Sequence, residues 1–490
     1  MPITRRAFTG GLAAAALLPA QSAWESLFDG RTLTNWKPSE NKASWQIVDG
    51  CLAAMGPRSH LFYNGPVRAA NFKNFELEVE ALAHHDCNSG VYFHTAYQET
   101  GFPIKGFEVQ INNTAGGEGT YRERKKTGSL YGLRNIYKQI VADDTWFKIN
   151  ILVRGKTVQI RVDGMLTVDY TEPDPPVIPT GAETGRFLSN GTFALQCHND
   201  GSGALFRSVR VRPLPDNTPT PGPLPMVDET FRKVIEIGRH NVPMVDYHVH
   251  LKPGLDLDQA VAKSLRDGVQ YGIAINAGQL NADEKAVQAF LASLKGKPVF
   301  AGMQAEGREW TNIFSRSTVA KFDYVFSDSE TWTDNRGKRM RLWIPAEAGT
   351  IPDETEFMET MVSRTVGILE NEPIDIYANP AFLPSQLAKD FDKHWTDERI
   401  QKVVNAAAKN HVAIELAGRY QLPGKRFIEA AKAAKCKFSF GTNNSSATDL
   451  GRIEYGLRMF EECKLSWQDI FVPGAFWPRA VERKGELLRG

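Results

Sequence analysis

Apolar and polar residues alternate along three short stretches of the first half of the chain. In Gly106-Phe-Glu-Val-Gln-Ile-Asn112, Phe107, Val109 and Ile111 fall on one side and Glu108, Gln110 and Asn112 on the other. This predicts a half-buried strand whose apolar row enters a core while a carboxylate and two amides share the opposite face. Phe193, Leu195 and Cys197 alternate in the same way with Gln196 and His198, and Val91-Tyr-Phe-His94 brings another imidazole. The period-two pattern recurs over 75–81, 146–153 and 157–162, and Asp163-Gly164 before Met165–Tyr170 predicts a two-residue hairpin turn. Many short strands with no helical period between them predict an all-β sandwich over residues 24–215.

The pattern changes beyond that point. Six prolines in the thirteen residues Pro213 to Pro225 admit neither helix nor central strand, so 216–225 reads as a stiff linker. From 226 to 490 short apolar runs alternate with amphipathic helices. Seven strands are expected, at 244–251, 271–277, 299–306, 323–328, 374–379, 412–416 and 437–442, with helices such as the one carrying Leu257, Val261 and Leu265 behind an Asp256 cap. Seven such units predict a parallel α/β barrel. Polar residues end its strands in order: His248 and His250, Asn276, Glu306, Ser327 and Asp328, Asn379, Glu415, Asn443 and Asn444. Barrel enzymes place their chemistry at that rim.

Composition narrows the partners. A formal net charge of +1 with no acidic tract or basic face argues against nucleic acid and points to a neutral small-molecule or oligosaccharide substrate. The five cysteines are scattered and odd in number, which suits neither a disulfide framework nor a zinc cluster. Thr4-Arg-Arg-Ala-Phe8 followed by an apolar run to Leu18 resembles a twin-arginine signal. Residues 1–23 are therefore expected to engage the twin-arginine export machinery and be removed, leaving a periplasmic or secreted protein with no stable membrane span.

The sandwich segment also resembles a known family. LFDGRTLTNW (27–36), SGVYFH (89–94), GFEVQI (106–111), TGSLYGL (127–133), FALQCHNDG (193–201) and FRSVRVRPL (206–214) are similar to the 3-keto-disaccharide hydrolase family. The resemblance implies a concanavalin-like jelly roll that cleaves glycosides oxidised at C3, by hydrolysis or elimination, in proteins exported from bacteria. Two carboxylates flank the bond in ordinary glycosidases, and only Glu108 stands out on this face. A C3 ketone, however, acidifies the C2 proton, so one base suffices if a donor holds the enolate oxygen. The base is expected to be Glu108 or His198, with His94, Gln110, Gln196 and Tyr131 orienting the sugar or steadying the enolate.

The barrel segment, Val245 to about Ser446, resembles the polymerase-and-histidinol-phosphatase family of metal hydrolases with distorted seven-unit barrels. His248 and His250, two apart on one strand, suit a divalent ion. The family's closing Gly-Ser-Asp-Ala-His is here Gly441-Thr-Asn-Asn-Ser445, and Asn379-Pro380 stands where histidine precedes proline. His248, His250, Glu306 and Asp328 are the candidates to hold one ion of zinc, manganese or calcium. A metal-free sugar-binding or structural barrel is the alternative, as is a carbohydrate-binding jelly roll attached to a metal-dependent phosphoesterase or amidohydrolase. No nucleotide cofactor is expected.

Overall fold

The computed structural model describes residues 23–490 except 115, 118–119, 179–184, 280 and 334–338, so the expected twin-arginine motif lies outside the described residues.

Two antiparallel sheets build the jelly roll. The larger runs in spatial order Met165–Thr171, Thr157–Val162, Trp146–Arg154, Phe75–Ala83, Ala204–Pro213, Cys51–Ala54 and Trp45–Val48, with Glu25–Ser26 added beside Ala204–Pro213. The smaller runs Trp36–Pro38, Ser59–Tyr63, Thr192–Cys197, Ser89–Thr95 and Phe107–Ile111. The larger sheet alternates as its sequence does: Leu77, Val79, Ile149 and Ile151 enter the core, while Glu78 and Lys148, at alternate positions, pair on the outer face (3.2 Å). The expected hairpin forms, with Asp163 at φ 48° and Gly164 at φ 83°, the left-handed pair that a right-twisted hairpin turn requires.

The smaller sheet departs from the expected half-buried strand. Every residue of Phe107–Ile111 is buried, on both faces. Phe107, Val109 and Ile111 do enter the shared core with Phe193, Leu195 and Cys197. The polar face, however, is covered by the chain that follows. Residues 120–137 return along this edge, Tyr131 N donating to Glu108 O (2.9 Å) and Gln110 N to Ser129 O (3.0 Å). A solvent-facing row thereby becomes the floor of a cavity.

The proline-rich stretch is not a free tether. Pro213 ends a strand, Asn74 Nδ2 donates to the carbonyls of Pro215 (3.0 Å) and Asp216 (3.1 Å), and Lys156 N donates to Thr220 Oγ1 (2.9 Å).

The seven strands Val245–His250, Gln270–Ala277, Phe300–Ala305, Tyr324–Ser327, Ile376–Tyr377, Ala413–Ala417 and Phe438–Gly441 close in parallel as a barrel. Tyr324 plugs its interior over Gly272 and Gly302, where an added Cβ would lie 2.2 and 2.4 Å from the phenolic oxygen. Asp256 caps helix Leu257–Asp267 through Gln259 N, and Gly268 in the left-handed region ends it. The jelly roll docks on the N-terminal ends of the barrel strands. Tyr137 N and Oη meet Gln270 Oε1 (2.8 Å) and Val242 O (2.9 Å), and Lys138 Nζ pairs with Asp323 Oδ2 (2.7 Å). The C-terminal rim therefore lies at the far end of the barrel. All five cysteines are buried and free, and among the described residues no helix is long and apolar enough to cross a membrane.

Candidate functional site

Strand parity determines the floor of the jelly-roll cavity. Gly90 and Tyr92 lie opposite Gln110 and Glu108 in the antiparallel pair, so their positions point to the same face, and Gln196 joins from the next strand. The cavity has a volume of about 280 Å³ and is lined by these side chains, by His198 and Phe102 at one side, and by Tyr121, Glu123, Tyr131 and Arg186 from the covering segments. Tyr92 Oη donates to Glu108 Oε2 (2.8 Å) and accepts from Gln196 Nε2 (3.0 Å). Gln110 Nε2 donates to Asn88 Oδ1 (2.7 Å). Gly90 supplies the space for the carboxylate, since a Cβ there would lie 2.5 Å from Glu108 Oε1.

Two carboxyl groups in this cavity are held in different states. Burial pushes Glu108 up to about 7, only partly offset by the charge of Arg186 and the Tyr92 hydrogen bond. Glu123 is buried as well, but the Lys125 charge and a set of hydrogen bonds outweigh burial and hold its carboxyl below the usual range. Those bonds come from Lys125 N (3.0 Å) and Lys125 Nζ (3.2 Å) to Oε1, and from Tyr121 (2.7 Å) and Tyr131 (3.0 Å) to Oε2. At neutral pH the site thus contains one carboxyl near its midpoint and one ionised carboxylate, the kind of split that separates acid from base roles.

Of the residues expected from sequence, Glu108, Gln110, Gln196, His198 and Tyr131 converge on this cavity. His94 does not. A register shift between Thr192 and Ala194 and a φ of 54° at His94 break the parity of its strand. Its ring lies 5.7 Å from that of Phe75, its Nε2 2.8 Å from Lys73 O, and its Nδ1 accepts from Ser189 N (3.2 Å). Burial pulls it down to about 4, so at neutral pH it is an uncharged packing group. The expectation of a single carboxylate is also corrected, because Glu123 arrives from outside the strands. Its stretch, Tyr121-Arg-Glu-Arg-Lys-Lys126, reads in sequence as a solvated charge run. Tyr92 was legible, being two residues from His94 and on the parity of Glu108.

The barrel rim forms a second, smaller cavity of about 150 Å³ that includes His250, Glu306, Asp328, Glu330, Arg419 and Asn443. His248 Nδ1 lies 2.6 Å from Glu415 Oε1, and its buried Nε2 has no hydrogen-bond partner. His250 Nδ1 lies 3.2 Å from Ala274 O. Both rings are thus tied as ligands usually are, but the carboxylates are engaged elsewhere. Glu306 accepts from Asn276 and Asn281, and Asp328 accepts from Glu330 N (2.9 Å). Among the described residues no group of three or more His, Cys, Asp or Glu side chains could hold a metal ion. The set His248, His250, Glu306 and Asp328 does not fit a resident ion.

Solved structures give several partial likenesses. A protein from Parabacteroides distasonis provisionally assigned as a glycosyl hydrolase is 21% identical, covering 39% of this chain and 94% of its own, with a TM-score of 0.32. A carbohydrate-binding module from Bacillus subtilis is 12% identical over 36% of this chain and 96% of its own, with a TM-score of 0.25. A histidinol phosphate phosphatase from Lactococcus lactis is 12% identical over 47% of this chain and 100% of its own, with a TM-score of 0.33. All three scores fall below 0.5 and carry no functional weight. No curated protein matches the chain. The family model for a 3-keto-alpha-glucoside-1,2-lyase-like domain matches residues 23–212, the segment that folds as the jelly roll.

Proposed function

We propose that the jelly-roll cavity cleaves the glycosidic bond of neutral 3-keto-glycosides, in a chain exported by the twin-arginine route to the periplasm or beyond. The observation that carries this reading is Glu108: a buried carboxyl poised at about 7, directed into a sugar-sized cavity by Tyr92. A base is most effective when its pKa is near the working pH. Ionised Glu108 takes the C2 proton, whose electrons pass into the C3 carbonyl to give an enolate. Arg186, which lines the cavity from the covering segments, steadies the developing oxyanion. The enolate then collapses, the C1–O bond breaks, and His198 at the cavity edge returns a proton to the departing aglycone oxygen. Water adding to C1 of the resulting enone completes a net hydrolysis. If the enone leaves first, the reaction is an elimination. Gln110, Gln196 and Tyr131 orient the ring hydroxyls.

One observation favours a second reading. Glu108 near its midpoint beside ionised Glu123 is also the pattern of a glycosidase acid and its partner. Turnover of a 3-keto-disaccharide in heavy water separates the two. Deuterium at C2 of the released sugar, with turnover lost in Glu108→Gln, is expected. Turnover with no C2 exchange, or cleavage of the unoxidised disaccharide at the same rate, refutes the C2-proton route.

A further inference from the structure

We propose that the cleft between jelly roll and barrel binds a phosphate-type oxyanion, free or as the ester of a small polyol, and that its occupancy sets the wall of the sugar cavity. The cleft encloses about 1060 Å³. It draws cations from both halves of the chain. Two of them are already neutralised: Lys138 by Asp323 (2.7 Å) and Arg479 by Glu482 (2.7 Å). Arg124 and Lys126 make no ion pair among the described residues, and the charges nearest them, Glu123 above all, act from a distance. Arg124 is 6% exposed, and its Nε is buried without a hydrogen-bond partner. Its guanidinium is fixed in orientation over the ring of Phe476, 4.7 Å from the centroid. Lys126 is 8% exposed, and among the described residues its Nζ makes no hydrogen bond or ion pair. Burial and the Arg124 charge pull Lys126 down to about 8, so it is still cationic at neutral pH.

Two like charges buried beside one cavity with no directly paired carboxylate, only the more distant charges of Glu123, Asp143 and Asp86, are an unfavourable arrangement that an anion relieves. A planar guanidinium beside an ammonium suits the oxygens of a phosphate group. The cleft is larger than the ion alone, and Phe476 and Trp477 offer apolar wall to an ester's carbon skeleton.

The link to the sugar cavity comes from alternation along one segment. Tyr121 and Glu123 line the sugar cavity, whereas Arg122, Arg124 and Lys126 line the cleft. Asn241 of the barrel clamps the same backbone, accepting from Arg124 N (2.8 Å) and donating to Arg122 O (2.8 Å). An anion gathered by Arg124 and Lys126 therefore holds the segment that positions Glu123 and, through it, Tyr131. This coupling rests on the reading of the sugar cavity given above, whereas the binding itself does not.

Calorimetric titration of the full chain with inorganic phosphate, glucose 1-phosphate and uncharged glucose tests the site, with hydrogen exchange of 121–131 as a readout independent of turnover. One-to-one binding of the phosphate group is expected. It should weaken on the order of 10-fold or more in Arg124→Gln and Lys126→Met, persist in Lys126→Arg and Glu108→Gln, and slow exchange across 121–131. Tighter binding of the ester identifies esters as the source, and equal binding identifies free phosphate. If either loss variant misfolds, the wild-type unfolding midpoint decides, rising with phosphate above that in chloride of equal ionic strength. No binding or midpoint shift, binding unchanged in both loss variants, or glucose binding as well as its phosphate overturns the site. Binding without slower exchange overturns the coupling.

Discussion

Replacing Glu108 by glutamine should make the protein more stable and inactive, with a stability gain that depends on pH. The carboxyl is 5% exposed, and burial raises it from 4.5 to about 7. Its folded-state pKa lies above its unfolded one, so the folded protein holds the proton more tightly. Stability is consequently undiminished below pH 4.5, falls as pH rises from 4.5 through about 7, and stays reduced above that. A shift of this size corresponds to about 3 kcal/mol. Glutamine keeps an acceptor for Tyr92 and carries no charge to desolvate. Denaturant unfolding of wild type and Glu108→Gln between pH 4 and 9 should therefore give curves that nearly coincide at the acid end and diverge by about 3 kcal/mol in favour of the variant at the alkaline end. Turnover of a 3-keto-glycoside should fall by about 10²- to 10⁴-fold, and wild-type kcat/KM should rise with pH through about 7 as the base ionises. A constant stability difference across that range, or a variant less stable at pH 9, would show that Glu108 is not a desolvated carboxyl and would remove the basis for calling it the base.

Tyr92→Phe removes a hydrogen bond to the ionised form of Glu108, so the rise in kcat/KM should move to higher pH by about one unit, as read from a pH–rate profile. Gly90→Ala places a Cβ 2.5 Å from Glu108 Oε1. It should lower stability by about 1–3 kcal/mol and kcat by about 100-fold, the loss persisting at pH values where the protein is fully folded. In the barrel, His248→Ala leaves Glu415 buried without its imidazole partner, which should lower stability by about 3–5 kcal/mol and leave keto-sugar turnover by the folded fraction unchanged. Chelator should change neither the unfolding midpoint nor the turnover, because among the described residues no three rim donors are placed to hold an ion. Metal-dependent turnover would refute that geometry.

Both architectures were legible in the sequence because each rests on a local period. Alternation over Phe75–Ala83 and Trp146–Arg154 specifies sheet, the Asp163-Gly164 turn specifies a hairpin, and seven apolar runs between amphipathic helices specify the barrel. Strand parity also carried the floor of the site, since Glu108, Gln110, Gln196 and His198 share one face whatever the rest of the chain does. Three things needed the tertiary structure. His94 left the cavity because a bulge and a left-handed φ reset its parity, and a bulge has no periodic signature. Glu123 entered because residues 120–137 fold back over the sheet, turning a charge run into a buried carboxylate network. The poise of Glu108 near neutrality followed from the same cover. A side chain's identity is local, but its desolvation is set by chain segments distant in sequence. The rim histidines show the converse. Their spacing is a local feature of one strand, yet the carboxylates that would complete a metal set are bound to other partners. Residue types and periods were thus determined by the sequence alone, while burial, pairing and charge state were decided by the packing of segments far apart along the chain.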